Sequence, residues 1–138
     1  MPLPVSPLVN DGSGIPRAMG AGDGFMAALI DQSLTTVGAG TLLAALFSTG
    51  IILRTGPTAA FIDTLDTAAN FNAQFPNLDI GESIQVIYSV NVAFAGTIAV
   101  GTGITLKTVA ANNVVPASSS RWIVLEKTSA TTYDAYVL

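Results

Sequence analysis

The chain has 138 residues, half of them apolar and only 10% charged, with a net charge of −4 and neither Cys nor His. This is the size of one domain. It excludes a disulfide framework and a thiolate or imidazole metal site, and it removes the commonest general base. Five scattered cations (Arg17, Arg54, Lys107, Arg121, Lys127) form no basic stripe, so nucleic acid is not an expected partner.

Charge this sparse leaves little to wet the surface of a monomer, and much of that surface is expected to be covered by other subunits, another protein or a membrane. Residues 1–33 read as an extended arm. They carry Pro2, Pro4, Pro7 and Pro16 and five glycines, which disfavour a core of their own. They also keep Leu3, Val5, Leu8, Val9, Ile15, Met19, Phe25 and Met26, too apolar a set for a solvated linker. These eight are the expected contacts with another surface, such as a neighbouring subunit, the alternative being an arm packed on its own domain. Phe25–Gln32 is the one stretch with short-helix character. The start "MPLPVSPLVN" has no basic segment followed by an apolar one, so no secretory signal is expected.

Residues 34–138 are expected to form a β-rich domain. "LTTV" reads as a strand followed by a turn, "TLLAALFSTG" as a helical turn or a strand, and "IILRT" as a β-branched strand stopped by Gly56-Pro57. The uncharged run 32–53 has the length of a membrane span. Glycines break it, and a second uncharged stretch, Ser83–Leu106, alternates with period two, so the chain avoids charge generally and no membrane partner is expected. Residues 66–75, "DTAANFNAQF", read as a short helix ended by Pro76. From Ile84 to Phe94 the period changes to two, giving a half-buried strand. "TIAV–GTG–ITLKTV" is expected to be a hairpin, "NNVVPASSS" a loop or bulged edge, and "RWIVLEKT" and "TTYDAYVL" a pair of strands. The fold class is mainly β: a sandwich or small barrel with one or two short helices.

Asp63 and Asp66, three apart, have the spacing of an acid–base pair. No His, Cys or third convergent group accompanies them, and both are expected to cap the short helix. An oxygen-only Ca²⁺ site from Asp63, Asp66, Asp79 and Glu82 matches no dedicated loop, so no metal or other cofactor is expected. The glycine-rich stretches lack the P-loop Lys-Ser/Thr pair, and "SSS" at 118–120 lacks the nucleophile elbow. No enzyme is expected.

Three segments carry a resemblance: "RTGPTAAFIDTLDTAANF", "GES–V–YSVNVAFAGTIAVGTGITL" and "VVPASSSRWIVLEKTSATTYDAYV". From Ile51 to Leu138 the chain resembles the head decoration (cement) proteins of tailed bacteriophages and related virion surface proteins. The resemblance implies a homo-oligomer, a trimer, that binds the major capsid protein on the virion surface after assembly in the host cytoplasm. There it clamps neighbouring capsomers against internal DNA pressure. The same β module in a tail or fibre would instead bind host glycan, with Trp122, Tyr133 and Tyr136 as the stacking aromatics.

Overall fold

The computed structural model of the chain describes residues 8–10, 16–18, 30–109 and 112–138. In chain order the strands are β1 (Leu8–Asn10), β2 (Pro16–Ala18), β3 (Ile30–Leu34), β4 (Gly40–Leu42), β5 (Gly50–Arg54) and β6 (Phe61–Leu65). After helix α1 (Ala68–Gln74) come β7 (Ser83–Val90), β8 (Gly96–Ala99), β9 (Ile104–Leu106), β10 (Val114–Val115), β11 (Ser119–Lys127) and β12 (Tyr133–Val137). A 3₁₀ helix spans Ala44–Ser48. β1 and β2 pair antiparallel with each other.

The other strands form two mixed sheets: β10-β8-β6-β4, and β3-β5-β7-β11-β12-β9. Neither closes into a barrel, so the small-barrel expectation is corrected. From β3 to β11 the chain changes sheet at every strand. β3, β5 and β7 lie side by side and parallel, as do β4, β6 and β8, whereas β9 sits at the far edge beside β12. Only β7–β11–β12 and β8–β10 are antiparallel. Three of the four edge strands are short, with three residues in β4 and β9 and two in β10, while β3 has five. Short edges offer little template for unwanted pairing.

The alternation of the sequence explains which residues turn inward. Val86, Tyr88 and Val90 of β7 share a face with Ile123 and Leu125 of β11 and Ala135 and Val137 of β12, and all are buried. The four-stranded sheet contributes Leu42, Phe61, Leu65, Ile98 and Val115 to the same core. Helix α1 closes one end. Thr67 is its N-cap, its hydroxyl accepting from the Asn70 N–H at 3.2 Å. Phe71, fully buried, meets Phe47 of the 3₁₀ helix edge-on at 5.0 Å between ring centres. Burying such a ring contributes roughly 2–3 kcal/mol. Asn72 fastens the helix to the β11–β12 turn, donating to the Ala130 carbonyl (2.8 Å) and accepting from the Tyr133 hydroxyl (2.8 Å).

Several expectations meet their outcome here. The uncharged run 32–53 is not one helix: it comprises β3, β4, a 3₁₀ turn and most of β5, and no described helix is long and apolar enough to cross a membrane. Ile30–Gln32, the end of the expected Phe25–Gln32 helix, belong to β3, and the rest of that stretch lies outside the described residues. β3 also carries the six-stranded sheet across the expected arm boundary at 33/34.

The expected hairpin at 97–106 is corrected. β8 and β9 belong to different sheets, and β9 pairs parallel with β12. Gly101–Gly103 is a crossing that passes over the N-terminus of α1, where the Thr102 carbonyl accepts the Ala68 N–H at 2.9 Å. A Cβ on Gly101 would stand 2.5 Å from the Leu65 carbonyl oxygen, and Gly103 adopts φ +83° with Ala68 against it. The glycines serve a close approach rather than a two-residue turn. Period-two patterning marks Ile98 and Ile104 as inward but cannot say that they point in from opposite sheets.

Candidate functional site

Arg54 ends β5 on the parity of buried Ile52, and Asp63 sits in the middle of β6 between buried Phe61 and Leu65. Alternation turns both charges into the core, where neither has any exposed surface. Arg54 Nε donates to Asp63 Oδ2 at 2.7 Å, so the ion pair joins the six-stranded sheet to the four-stranded one. Two buried charges cost several kcal/mol of desolvation each, recovered only when every lone pair and N–H is used. Here they are used. Arg54 Nη1 donates to the Leu34 carbonyl (3.1 Å) and to the Thr36 carbonyl, Nη2 to the Gly38 carbonyl, and the guanidinium stands over the Phe61 ring at 4.8 Å. Asp63 accepts in addition from the Tyr88 hydroxyl (2.6 Å) and the Gly40 N–H (2.9 Å). Burial, the hydrogen bond to Asp63 and the charge of that carboxylate push the Tyr88 phenol far above its ordinary value.

Asp63 is therefore not a helix cap, and that expectation is corrected: it is the counter-ion of Arg54. Asp66 lies one residue before the true N-cap, Thr67. Its carboxylate accepts from the Ala44 N–H at the start of the 3₁₀ helix (3.0 Å), the Thr67 N–H (2.8 Å) and the Asn70 side chain (2.6 Å). Burial pushes the Asp66 carboxyl up, but these three donors outweigh it and hold the group below its ordinary range. The two aspartates share no hydrogen-bonding partner.

Asp79 and Glu82 bond to each other's backbone across a tight turn: Asp79 N–H to Glu82 Oε2 at 2.8 Å, Glu82 N–H to Asp79 O at 3.0 Å. Among the described residues no group of three or more His, Cys, Asp or Glu is placed to hold a metal. A shallow open depression of about 330 Å³, lined by Gln74, Phe75, Pro76, Asn77, Leu78 and Glu82, adjoins that turn. No buried polar side chain aims into it.

The surfaces are more informative. On the outer face of the six-stranded sheet, Ile51, Ile87, Trp122 and Leu138 stand in register across four adjacent strands. Trp122 is 44% exposed and Leu138 65%. Gln85, Val124 and Tyr136 form the next row. Sequence reading found Trp122 but not the row, because the partners of Trp122 come from β5, β7 and the C-terminus. Of the three candidate stacking aromatics only Trp122 and Tyr136 share this face. Tyr133 is fully buried, its hydroxyl on Asn72, so its expected surface role is corrected. Of the expected arm contacts, Leu3, Val5, Ile15, Met19, Phe25 and Met26 lie outside the described residues, and Leu8 and Val9 fall in β1. No family model, curated protein or solved structure matches the chain.

Proposed function

We propose that the chain is a structural virion protein. It decorates a capsid shell as a homotrimer, binds the major capsid protein across neighbouring capsomers, and does so with a two-sheet β-sandwich and the segment preceding β3. The reading has no catalytic component. The observation that carries it is the apolar row Ile51–Ile87–Trp122–Leu138 on an outer sheet face, which β3 continues with Asp31. Trp122 alone leaves about 100 Å² to be covered, which favours association by roughly 2–3 kcal/mol. Repetition of a modest contact around a closed ring, and over a shell, multiplies its effect. The resemblance to decoration proteins points the same way, as does a net charge spread over very few groups.

The test has two readouts. Light scattering on the purified full chain gives the oligomer: a trimer is expected, and Trp122→Lys should yield monomers of unchanged fold. Co-sedimentation with heads of the phage that encodes the chain gives the shell contact. Deleting residues 1–29, which spares β3, should weaken that binding. A monomeric wild-type chain that ignores heads would end this reading.

A second reading, a tail or fibre module that binds glycan, is favoured by one arrangement: Trp122 and Tyr136 on one flat face with Gln85 and Ser120 beside them. Saturable binding of host polysaccharide, lost in Trp122→Ala and unaccompanied by head binding, would select it.

A further inference from the structure

We infer that one pole of the domain, built from four uncharged loops, is a docking surface for a neutral protein surface of the virion shell. The inference rests on the virion reading above and assigns it a second contact, separate from residues 1–29 and from the Trp122 row.

The pole follows from the topology. Leu34, Arg54, Val90 and Ser119 form one row at the end of β3, β5, β7 and β11. Phe61, Gly96 and Val115 form the matching row of β6, β8 and β10, and β4 starts beside Asp63. The loops 35–39, 55–60, 91–95 and 116–118 each run between these two row ends, so all four crossings lie together. They contain no Asp, Glu, Lys or Arg. Val37 (63%) and Phe94 (39%) are exposed there, as are Ala59 and Ala117.

Charge gathers at the other end. The Lys127 N–H donates to the Glu82 carbonyl (2.9 Å) and Lys127 Nζ to the Leu78 carbonyl (2.9 Å) beside the 79–82 turn, Glu126 stands opposite Asp134, and Lys107 pairs with Asp134 at 3.5 Å. Among the described residues the exposed charge nearest the loops is Arg121, two residues into β11. β3 begins beside Gly50 at the charged end, away from the loops. A domain with one charged and one neutral pole has its wettable end already assigned. The neutral end is complementary to a surface that is itself neutral, since burying it strands no charge.

The loops are also held rigidly. Arg54 fixes the carbonyls of Leu34, Thr36 and Gly38 from beneath. The Asn91 N–H bonds the Arg54 carbonyl (2.9 Å), the Ser118 N–H the Val92 carbonyl (3.2 Å) and the Phe61 N–H the Ala95 carbonyl (3.3 Å). A Cβ on Gly56 would overlap the Thr35 carbonyl, so loops 35–39 and 55–60 interlock. Little ordering remains to be done on binding. Of the 19 residues in the four loops 14 are exposed, so the pole forms part of an interface whose usual size is roughly 20–30 residues a side.

The experiment is co-sedimentation of the full chain with encoding-phage heads, comparing wild type with Val37→Asp/Phe94→Asp and with Asp79→Lys at the opposite pole. A second pair, Ala59→Glu/Ala117→Glu, covers the case in which the first pair disturbs folding. The expected result is unchanged melting temperature and trimer, head binding weakened by about 100-fold or more for either loop pair, as for charges buried without partners, and normal binding for Asp79→Lys. Wild-type affinity in a folded loop variant would overturn the pole assignment and leave the virion reading standing. So would loss of the trimer instead of head binding, which would make the pole a contact between copies. Failure of the wild-type chain itself to bind heads would overturn both.

Discussion

Asp63→Ala tests the reading of the buried cluster. The substitution leaves the Arg54 guanidinium at 0% exposure without its counter-ion, and takes an acceptor from the Tyr88 hydroxyl and the Gly40 N–H. Breaking a buried pair from one side costs about 3–5 kcal/mol, and each further buried donor left unmet about 1–3 kcal/mol. Against a typical stability of about 5–15 kcal/mol this is a large fraction. At roughly 3–4 °C per kcal/mol for a chain of this size, the melting temperature should fall by at least about 10 °C. Urea denaturation followed by circular dichroism measures the free energy directly. Arg54→Met/Asp63→Leu removes both charges and should recover part of the loss. Recovery should be incomplete, because the Leu34, Thr36 and Gly38 carbonyls lose their donor. A loss below about 1 kcal/mol for Asp63→Ala would refute the counter-ion assignment and reopen a chemical role for this carboxylate.

Three further predictions concern the same region. Thr67→Ala should lower stability by about 0.5–2 kcal/mol, since Thr67 is the N-cap of α1; chemical denaturation checks this, with Thr67→Ser as the rescuing variant. Because the folded state depresses the Asp66 pKa, its contribution is present above the unfolded value of about 3.9 and is lost as pH falls through the lower folded value. Asp66→Asn should accordingly flatten the acid end of the stability–pH curve and leave its shape above about pH 6 unchanged. For Tyr88 the shift is upward, so its contribution is present below the unfolded value of about 10 and is lost as pH rises toward the folded one. Ultraviolet titration of the native protein should show Tyr88 silent through about pH 11, and Tyr88→Phe should remove no step from that curve.

Much of the domain could be read from pattern. Period-two alternation placed β5, β7, β11 and β12, and Ala-rich composition before Pro76 placed α1. What failed was local reading of "FIDTL" and "TIAV–GTG–ITL". The first lies between a Gly-Pro turn and a helix, and two aspartates made it resemble a helix start. Its alternation nevertheless put Phe61, Asp63 and Leu65 on one face, as "IILRT" put Arg54 with Ile52. Two opposite charges at inward positions of neighbouring strands are the signal of a buried pair, and it was present in the sequence. The second failed because alternation gives the face of a strand and not its sheet. At this crossing the Thr102 carbonyl meets the Ala68 N–H of α1, a partner that the window does not contain. The Trp122 row and the neutral pole are properties of pairing across strands far apart in sequence, so no window of residues contains them.

The measurement that bears most directly on the account is a reconstruction of the particle of the phage that encodes the chain, at a resolution that places strands. The account predicts trimers of this domain over capsomer junctions, with loops 35–39, 55–60, 91–95 and 116–118 against the shell and the 79–82 turn facing solvent. Density for the chain in the tail or fibre alone, or none on the particle, would contradict it.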